Sequence, residues 1–155
     1  MAETVTPLPE ALEEIARDFA ELPPPERLQL LLEFSEGLPD LPEAYASHPD
    51  RFEQVHECQS PLFLAVDVDD QPADDPGARR VHLFFQAPPE APTTRGFAGI
   101  LQEGLDGLTV EEVLAVPDDA PYHFSLGEAV SPLRLRGMVG MLSRIKRQTA
   151  LKSQA

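Results

Sequence analysis

The sequence has one cysteine, Cys58, and no tryptophan. A lone cysteine can form no internal disulfide, and by itself it cannot hold a zinc ion or an iron–sulfur cluster. The four histidines add only a His56-x-Cys58 pair, which is a weak signal for a metal site. Neither of the glycine-rich phosphate-binding motifs occurs among the nine glycines. We therefore expect no metal and no bound cofactor.

Basic side chains are scarce, with 12 Lys and Arg against 27 Asp and Glu, so the formal net charge is −15. Such a surface repels phosphate backbones and anionic lipid headgroups, which argues against binding to nucleic acid or to membranes. Apolar runs are short as well, since none approaches the roughly 18 residues of a membrane-spanning helix. The N-terminal sequence lacks the basic start and apolar core of a signal peptide, so we expect a cytoplasmic protein.

The two kinds of charge are segregated along the chain. All 27 acidic side chains lie within residues 1–128, whereas residues 129–155 carry six basic and no acidic side chains. The favoured interpretation is that a basic last helix docks on an acidic body. The alternative is that the basic tail forms a surface for a partner.

Seventeen prolines punctuate the chain, and the segments between them differ in pattern. Apolar residues at spacings of three and four predict two helices before Gly37, separated by the triplet Pro23–Pro25. Residues 39–61 show no sustained period and look irregular. Residues 62–68 and 81–87 are rich in β-branched and aromatic side chains. They predict two strands joined by a long acidic loop.

The C-terminal half is predicted to be helical. An apolar stripe over residues 97–108 predicts a middle helix. Thr109 with Glu112 forms the pattern of a capping box, which opens a short helix. Ser131 as N-cap and Pro132 at the first helical position open the last helix. Helices, a short antiparallel sheet and further helices, in one domain of 155 residues, predict an α+β fold.

Cys58 lies among polar residues, immediately before the first predicted strand. A buried cysteine normally belongs to an apolar face, so this setting fits a reactive thiol or an inert cysteine in a loop. A reactive thiol acts through its thiolate, which a nearby cation would favour. In an extended segment His56 would share a face with Cys58, so a thiol hydrolase with a Cys–His pair stays open.

The segment Val55-His56-Glu57-Cys58-Gln59-Ser60, followed at once by an apolar strand, resembles the Val-x-Gly-Cys-Gln-Ser signature of SufE-type cysteine desulfuration proteins. Further elements of the chain are similar to that family in the same order, over about residues 24–150. These elements are Leu38-Pro39-Asp40-Leu41-Pro42, Arg95-Gly96, Thr109 to Glu112, and Ser131-Pro132-Leu133-Arg134 with Gly137. Residues 1–20 are then expected to be an N-terminal helical extension of a single domain, 1–155.

The resemblance implies a short curved antiparallel sheet packed against N-terminal and C-terminal helices. It also implies sulfur relay: Cys58 would accept sulfur from a pyridoxal-phosphate (PLP) cysteine desulfurase, stimulate that enzyme, and pass the sulfur to an iron–sulfur scaffold. The chain would thus be a transfer partner, not an enzyme, acting as a monomer or weak homodimer. Arg134 matches the family's arginine, and His56, Gln59 and Ser60 are supporting candidates beside the cysteine. The thiol is expected over an apolar cavity lined by the middle and last helices.

One position departs from the family pattern. Glu57 replaces the usual glycine before the cysteine, and its carboxylate is expected to raise the pKa of Cys58. Outside the resemblance, the alternative function is an acidic adaptor or binding module whose cysteine is incidental.

Overall fold

Residues 8–127 and 129–154 are described in this computed structural model. Within them the chain forms six α-helices and three β-strands. The helices are α1 (Glu10–Glu21), α2 (Pro24–Glu36), α3 (Glu43–Ala46), α4 (Pro92–Leu105), α5 (Val110–Leu114) and α6 (Pro132–Ser153). The strands are β1 (Glu53–Gln54), β2 (Phe63–Val68) and β3 (Val81–Gln86).

The three strands form one antiparallel sheet in the order β1-β2-β3. The β2–β3 register runs from Phe63 opposite Gln86 to Val68 opposite Val81, so the two predicted strands and their pairing are confirmed. The prediction that residues 39–61 are irregular is wrong in part, because this segment contains α3 and β1. A two-residue strand is too short to show a period in sequence. It forms because the edge of β2 offers unpaired backbone groups.

Helix α6 packs across β2 and also contacts α4 and α5. Its backbone begins as predicted: the Ser131 hydroxyl accepts a hydrogen bond from the Arg134 N–H at 3.2 Å, and Pro132 lies in the first turn. The buried Gln148 side chain, near the other end, accepts a hydrogen bond from the Val66 N–H at 3.1 Å. This bond joins the helix to the middle strand and sets where α6 crosses the sheet.

Basic residues of α6 form ion pairs with acidic residues of the body, which confirms the favoured interpretation of the charge segregation. Lys146 lies 2.8 Å from Asp118, and Arg147 pairs with Glu53. The predicted capping box of α5 is confirmed too. The Thr109 hydroxyl accepts from the Glu112 N–H, and the Glu112 carboxylate accepts from the Thr109 N–H at 3.0 Å. Over the described ranges, no helix has both the length and the apolar content needed to cross a membrane.

Helix α1 packs against α4, so its apolar side lies in the same core as α2 and α4. Leu12, Ile15 and Phe19 are buried, and the Phe19 ring stacks on Phe34 of α2 at 5.8 Å between centroids. Leu12 also fills the space beside Gly104 of α4, where an added Cβ would lie 2.2 Å from Leu12 Cδ2. The sequence predicts that residues 1–20 form an N-terminal extension, and residues 1–7 of it lie outside the described ranges. Helix α1, which forms most of the rest of this extension, contributes side chains to the core.

Removing the Leu12 side chain should therefore destabilise the whole domain. Leu12 is 0% exposed, whereas Leu28 on α2 is 41% exposed and serves as a matched control. We expect Leu12→Ala to lower the free energy of unfolding by about 2–5 kcal/mol, because it leaves a cavity. Leu28→Ala should change it by about 0.5 kcal/mol or less. Urea unfolding followed by circular dichroism measures both. Equal effects would show that α1 is not an integral part of the core.

Candidate functional site

Cys58 lies in a tight loop between β1 and β2. The loop starts at Val55, which is buried and whose N–H donates to the Leu62 carbonyl at 2.9 Å. The Cys58 N–H then donates back to the Val55 carbonyl at 3.2 Å, which closes a turn. The segment is therefore turned and not extended. As a result, the alternation that would place His56 and Cys58 on one face does not apply.

The Cys58 loop lies directly on α6, opposite two glycines one turn apart. A Cβ added to Gly137 would lie 2.9 Å from Cys58 Sγ, and one added to Gly140 would lie 2.8 Å from Glu57 Cδ. Such distances are shorter than van der Waals contact, so a side chain at either position would push the Cys58 sulfur or the Glu57 carboxylate away from the helix. The thiol is half-buried as a result.

Two arginines and a glutamine of α6 bind two acidic residues, Glu53 in β1 and Glu57 in the loop. Arg144 Nη1 lies 2.7 Å from Glu57 Oε1, and Arg144 Nε lies 3.4 Å from Glu53 Oε2. Arg147 also pairs with Glu53, and Gln148 Nε2 donates to Glu53 Oε1 at 2.8 Å. Arg144 is mostly buried and donates to the Gly140 carbonyl at 3.2 Å as well. The loop is thus tied to α6 through charge-assisted bonds.

A pocket of about 260 Å³ opens beside the thiol. Its walls include Cys58, Gln59 and Ser60 from the loop, the start of α4 at residues 92–94, and Arg134 from the first turn of α6. Arg134 Nη1 donates to the Thr93 hydroxyl at 3.3 Å, which spans the gap between the two helices. The expected position between the middle and last helices is confirmed. The expected apolar lining is wrong, because hydroxyl, amide, carboxylate and guanidinium groups form much of the wall.

The electrostatics of the site keep the thiol protonated. Burial is the main cause that raises the pKa of Cys58 from 9.0 to about 11, and the Glu57 carboxylate raises it further. The Arg144 cation lowers it, but by less. The hydrogen bond from Arg144 in turn lowers the pKa of Glu57, so the carboxylate next to the thiol stays charged. Glu57 therefore raises the pKa of Cys58, as predicted from the sequence.

Four of the five candidate residues meet at one pocket: Cys58, Gln59, Ser60 and Arg134. The fifth, His56, is exposed to solvent and does not line it. Among residues 8–127 and 129–154, no hydrogen bond joins His56 to the thiol, so the Cys–His pair of a hydrolase is not formed. In the same ranges, no group of three or more His, Cys, Asp or Glu side chains is placed to hold a metal ion.

Sequence reasoning missed three residues of the site. Gly140 and Arg144 position the loop, and Thr93 holds the pocket arginine. The Gly137-x-x-Gly140 spacing is a usable signal, because two glycines on one side of a helix permit a close approach. Nothing in the sequence pairs Arg144 with Glu57, which lies 87 positions away.

Residues 13–149 match the sequence profile of SufE, described as an Fe-S metabolism associated domain. The chain belongs to the SufE family. The profile begins inside α1, so most of that helix is part of the family domain. The resemblance drawn from the Cys58 segment is confirmed at the level of the family and of its association with iron–sulfur metabolism.

Two relatives from Mycobacterium tuberculosis strains, both named as uncharacterized SufE-like proteins, are 52% identical over 141 residues, covering 91% of this chain and 92% of theirs. SufE-like protein 1 of Arabidopsis thaliana, named as chloroplastic/mitochondrial, is 23% identical over 142 residues, which are only 35% of its length. A solution structure of a hypothetical protein from Thermus thermophilus superimposes with a TM-score of 0.80 at 37% identity. The match covers 96% of this chain and 100% of the other, and supports the predicted α+β fold.

The raised pKa of Cys58 predicts how its alkylation depends on pH. Iodoacetamide reacts with the thiolate, whose fraction in the folded chain should grow about tenfold per pH unit from about pH 7 to pH 10, with no plateau. In denaturant the same cysteine loses its burial, so its rate should level off above about pH 9.5. Mass spectrometry of quenched samples gives both profiles. A plateau in the folded chain below about pH 9.5 would contradict the burial of the thiol.

Proposed function

We propose that this SufE-family protein accepts a sulfane sulfur on Cys58 from a PLP-dependent cysteine desulfurase and hands it to an iron–sulfur scaffold. The observation that carries the proposal is the placement of Cys58. It is the sole cysteine of the chain, and it lies in a tight loop, on the wall of a pocket that Arg134 also lines. Family membership supports the same role.

The transfer follows the chemistry of thiol–disulfide exchange. The Cys58 thiolate attacks the outer sulfur of a persulfide on the desulfurase cysteine, forming a new S–S bond at Cys58. The S–S bond on the desulfurase breaks, and that cysteine leaves as a thiolate. It takes up the proton that Cys58 gave up, so a thiol and a persulfide have exchanged places with no net oxidation. The desulfurase is thereby returned to its starting form, which explains how a sulfur acceptor would stimulate it.

The high pKa of Cys58 suits a carrier that reacts only when docked. With a pKa of about 11, the thiolate in the free chain amounts to about one part in ten thousand at neutral pH. Small oxidants and disulfides react with thiolates, so the resting thiol is protected from them. Docking must then lower the pKa, by supplying a cation or by moving the thiol away from its half-buried position.

Arg134 is the cation that the chain itself provides at this pocket. Its guanidinium is held by Thr93 near the start of α4, on the same wall as Cys58. Persulfides and thiolates are anions, so a positive charge on the same pocket wall favours an anion bound there, whether the reacting thiolate or the persulfide. Gln59 and Ser60 add polar groups to the same wall. In this proposal His56 has no role, since it lies outside the pocket.

Sulfur loading is tested by mixing the chain with a cysteine desulfurase and free cysteine, then measuring its intact mass. We expect a gain of one sulfur atom on the wild-type chain and none on Cys58→Ser, because position 58 holds the one thiol that can form the new S–S bond. His56→Gln serves as the control and should load normally. An unloaded wild-type chain beside a working desulfurase would favour the adaptor function instead.

The role of Arg134 is tested by comparing two exposed arginines of the same helix, Arg134 and Arg136. Arg134→Gln should slow sulfur loading about three- to thirtyfold, a loss of about 0.5–2 kcal/mol of stabilisation of the anion. Arg136→Gln removes the same charge without altering the pocket wall and should have a smaller effect. Single-turnover loading followed by mass spectrometry gives both rates. Equal slowing in the two variants would show that only the overall charge of the helix matters.

A further inference from the structure

Glu57, the residue before Cys58, has its own contact site on α6. The Glu57 side chain lies over Gly140, where even a Cβ would come within 2.8 Å of its carboxyl carbon. Its Oε1 then meets Arg144 Nη1 at 2.7 Å. One turn earlier on the helix, Gly137 receives the Cys58 sulfur in the same manner. Adjacent loop residues therefore occupy adjacent recesses on one side of the helix.

Arg144 is built to receive this carboxylate. Its side chain is only 17% exposed and donates to the Gly140 carbonyl at 3.2 Å, and its Nε lies 3.4 Å from Glu53 without forming a hydrogen bond. A guanidinium that is already positioned loses little further freedom when Glu57 binds. Glu57 itself remains 43% exposed, so water and a docked partner can compete for it. In this ion pair Arg144 is thus held in place by the helix, whereas Glu57 is accessible to solvent.

We propose that Glu57 is a positioning residue, whose ion pair with Arg144 holds the Cys58 loop closed on α6 and must open for sulfur transfer. The closed pair keeps the thiol against Gly137, half-buried and protonated. Opening the pair frees the loop, which carries the sulfur away from the helix toward the partner. The role in transfer rests on the proposed function, whereas the closing of the loop is a property of the free chain.

Several charged groups lie near the thiol, so the effect of their charge on Cys58 must be distinguished from an effect of loop opening. Glu57 and His56 belong to its own loop, and Arg144 acts on it from α6. Arg134 of α6 and Glu90 of the segment before α4 line the same pocket. As a nearby cation, Arg144 by itself lowers the pKa of Cys58. Removing Arg144 would therefore slow alkylation of the thiol if charge alone mattered. If the ion pair holds the loop closed, removing Arg144 speeds it.

The test is the rate of Cys58 alkylation in the free chain at neutral pH. We expect Glu57→Gln and Arg144→Gln each to raise the rate about three- to tenfold, since a pKa lower by about half to one changes the thiolate fraction by that factor. Loss of the Glu57 charge alone would also speed alkylation, so Arg144→Gln is the deciding variant. The double variant should be no faster than the faster single variant, because both changes open the same contact. Glu57→Asp keeps the charge on a shorter side chain and should restore part of the protection.

Asp118→Asn is the matched control, because it breaks another ion pair of α6, with Lys146, away from the thiol. Its alkylation rate should equal that of the wild-type chain. A slower or unchanged rate in Arg144→Gln overturns the proposal, and so does an Asp118→Asn variant as fast as Glu57→Gln. If Arg144→Gln is poorly folded, the deciding measurement is amide hydrogen exchange of residues 55–60 in Glu57→Gln. Exchange that is unchanged from the wild-type chain overturns the proposal.

A second measurement separates this inference from the proposed function. The chain is loaded by a desulfurase, the desulfurase is removed, and loss of the added sulfur to glutathione is followed by mass. Glu57→Gln should lose the sulfur about three times faster or more than the wild-type chain, because the loop protects it less. If the variants are alkylated faster but the wild-type chain takes up no sulfur, the closed loop is supported and sulfur relay is rejected. If the chain loads normally but Glu57→Gln changes neither alkylation nor sulfur loss, sulfur relay is supported and the closed loop is rejected.

Discussion

The site depends on how closely one loop approaches one helix. Gly137 and Gly140 leave recesses on α6 in which the Cys58 sulfur and the Glu57 carboxylate lie, and a side chain at either glycine would displace them. From this contact follow the half-burial of the thiol, its raised pKa and the reach of Glu57 to Arg144. Backbone proximity thus controls chemistry here, because desolvation is the largest influence on the thiol.

Helix α6 combines structural and functional roles along its length. Its first turn carries Arg134 at the pocket, its middle receives the loop, and its C-terminal half is fixed to the sheet by Gln148 and to the body by ion pairs. A helix anchored in this way presents its middle turns as a fixed surface. A loop that closes on a fixed surface has one well-defined resting position. Such a position would suit the sulfur carrier proposed above.

The fold was largely predictable from the sequence where local patterns decide the structure. The strands β2 and β3, the capping box at Thr109 and the N-cap at Ser131 all follow from period, β-branching or capping chemistry. The elements missed, α3 and β1, are a single turn and a two-residue strand. They have too few residues to show a period, and β1 exists only because β2 supplies a hydrogen-bonding edge.

The sequence by itself determined the longer helices and strands, the lone Cys58 in its polar segment, and the resemblance that predicted Arg134 as a supporting residue. Only the tertiary structure decided that His56 turns away, that the pocket is polar, and that Glu57 meets Arg144. Spacing along a chain tells which residues share a face of one element. It does not tell which faces of two elements meet, because that depends on how the whole core packs.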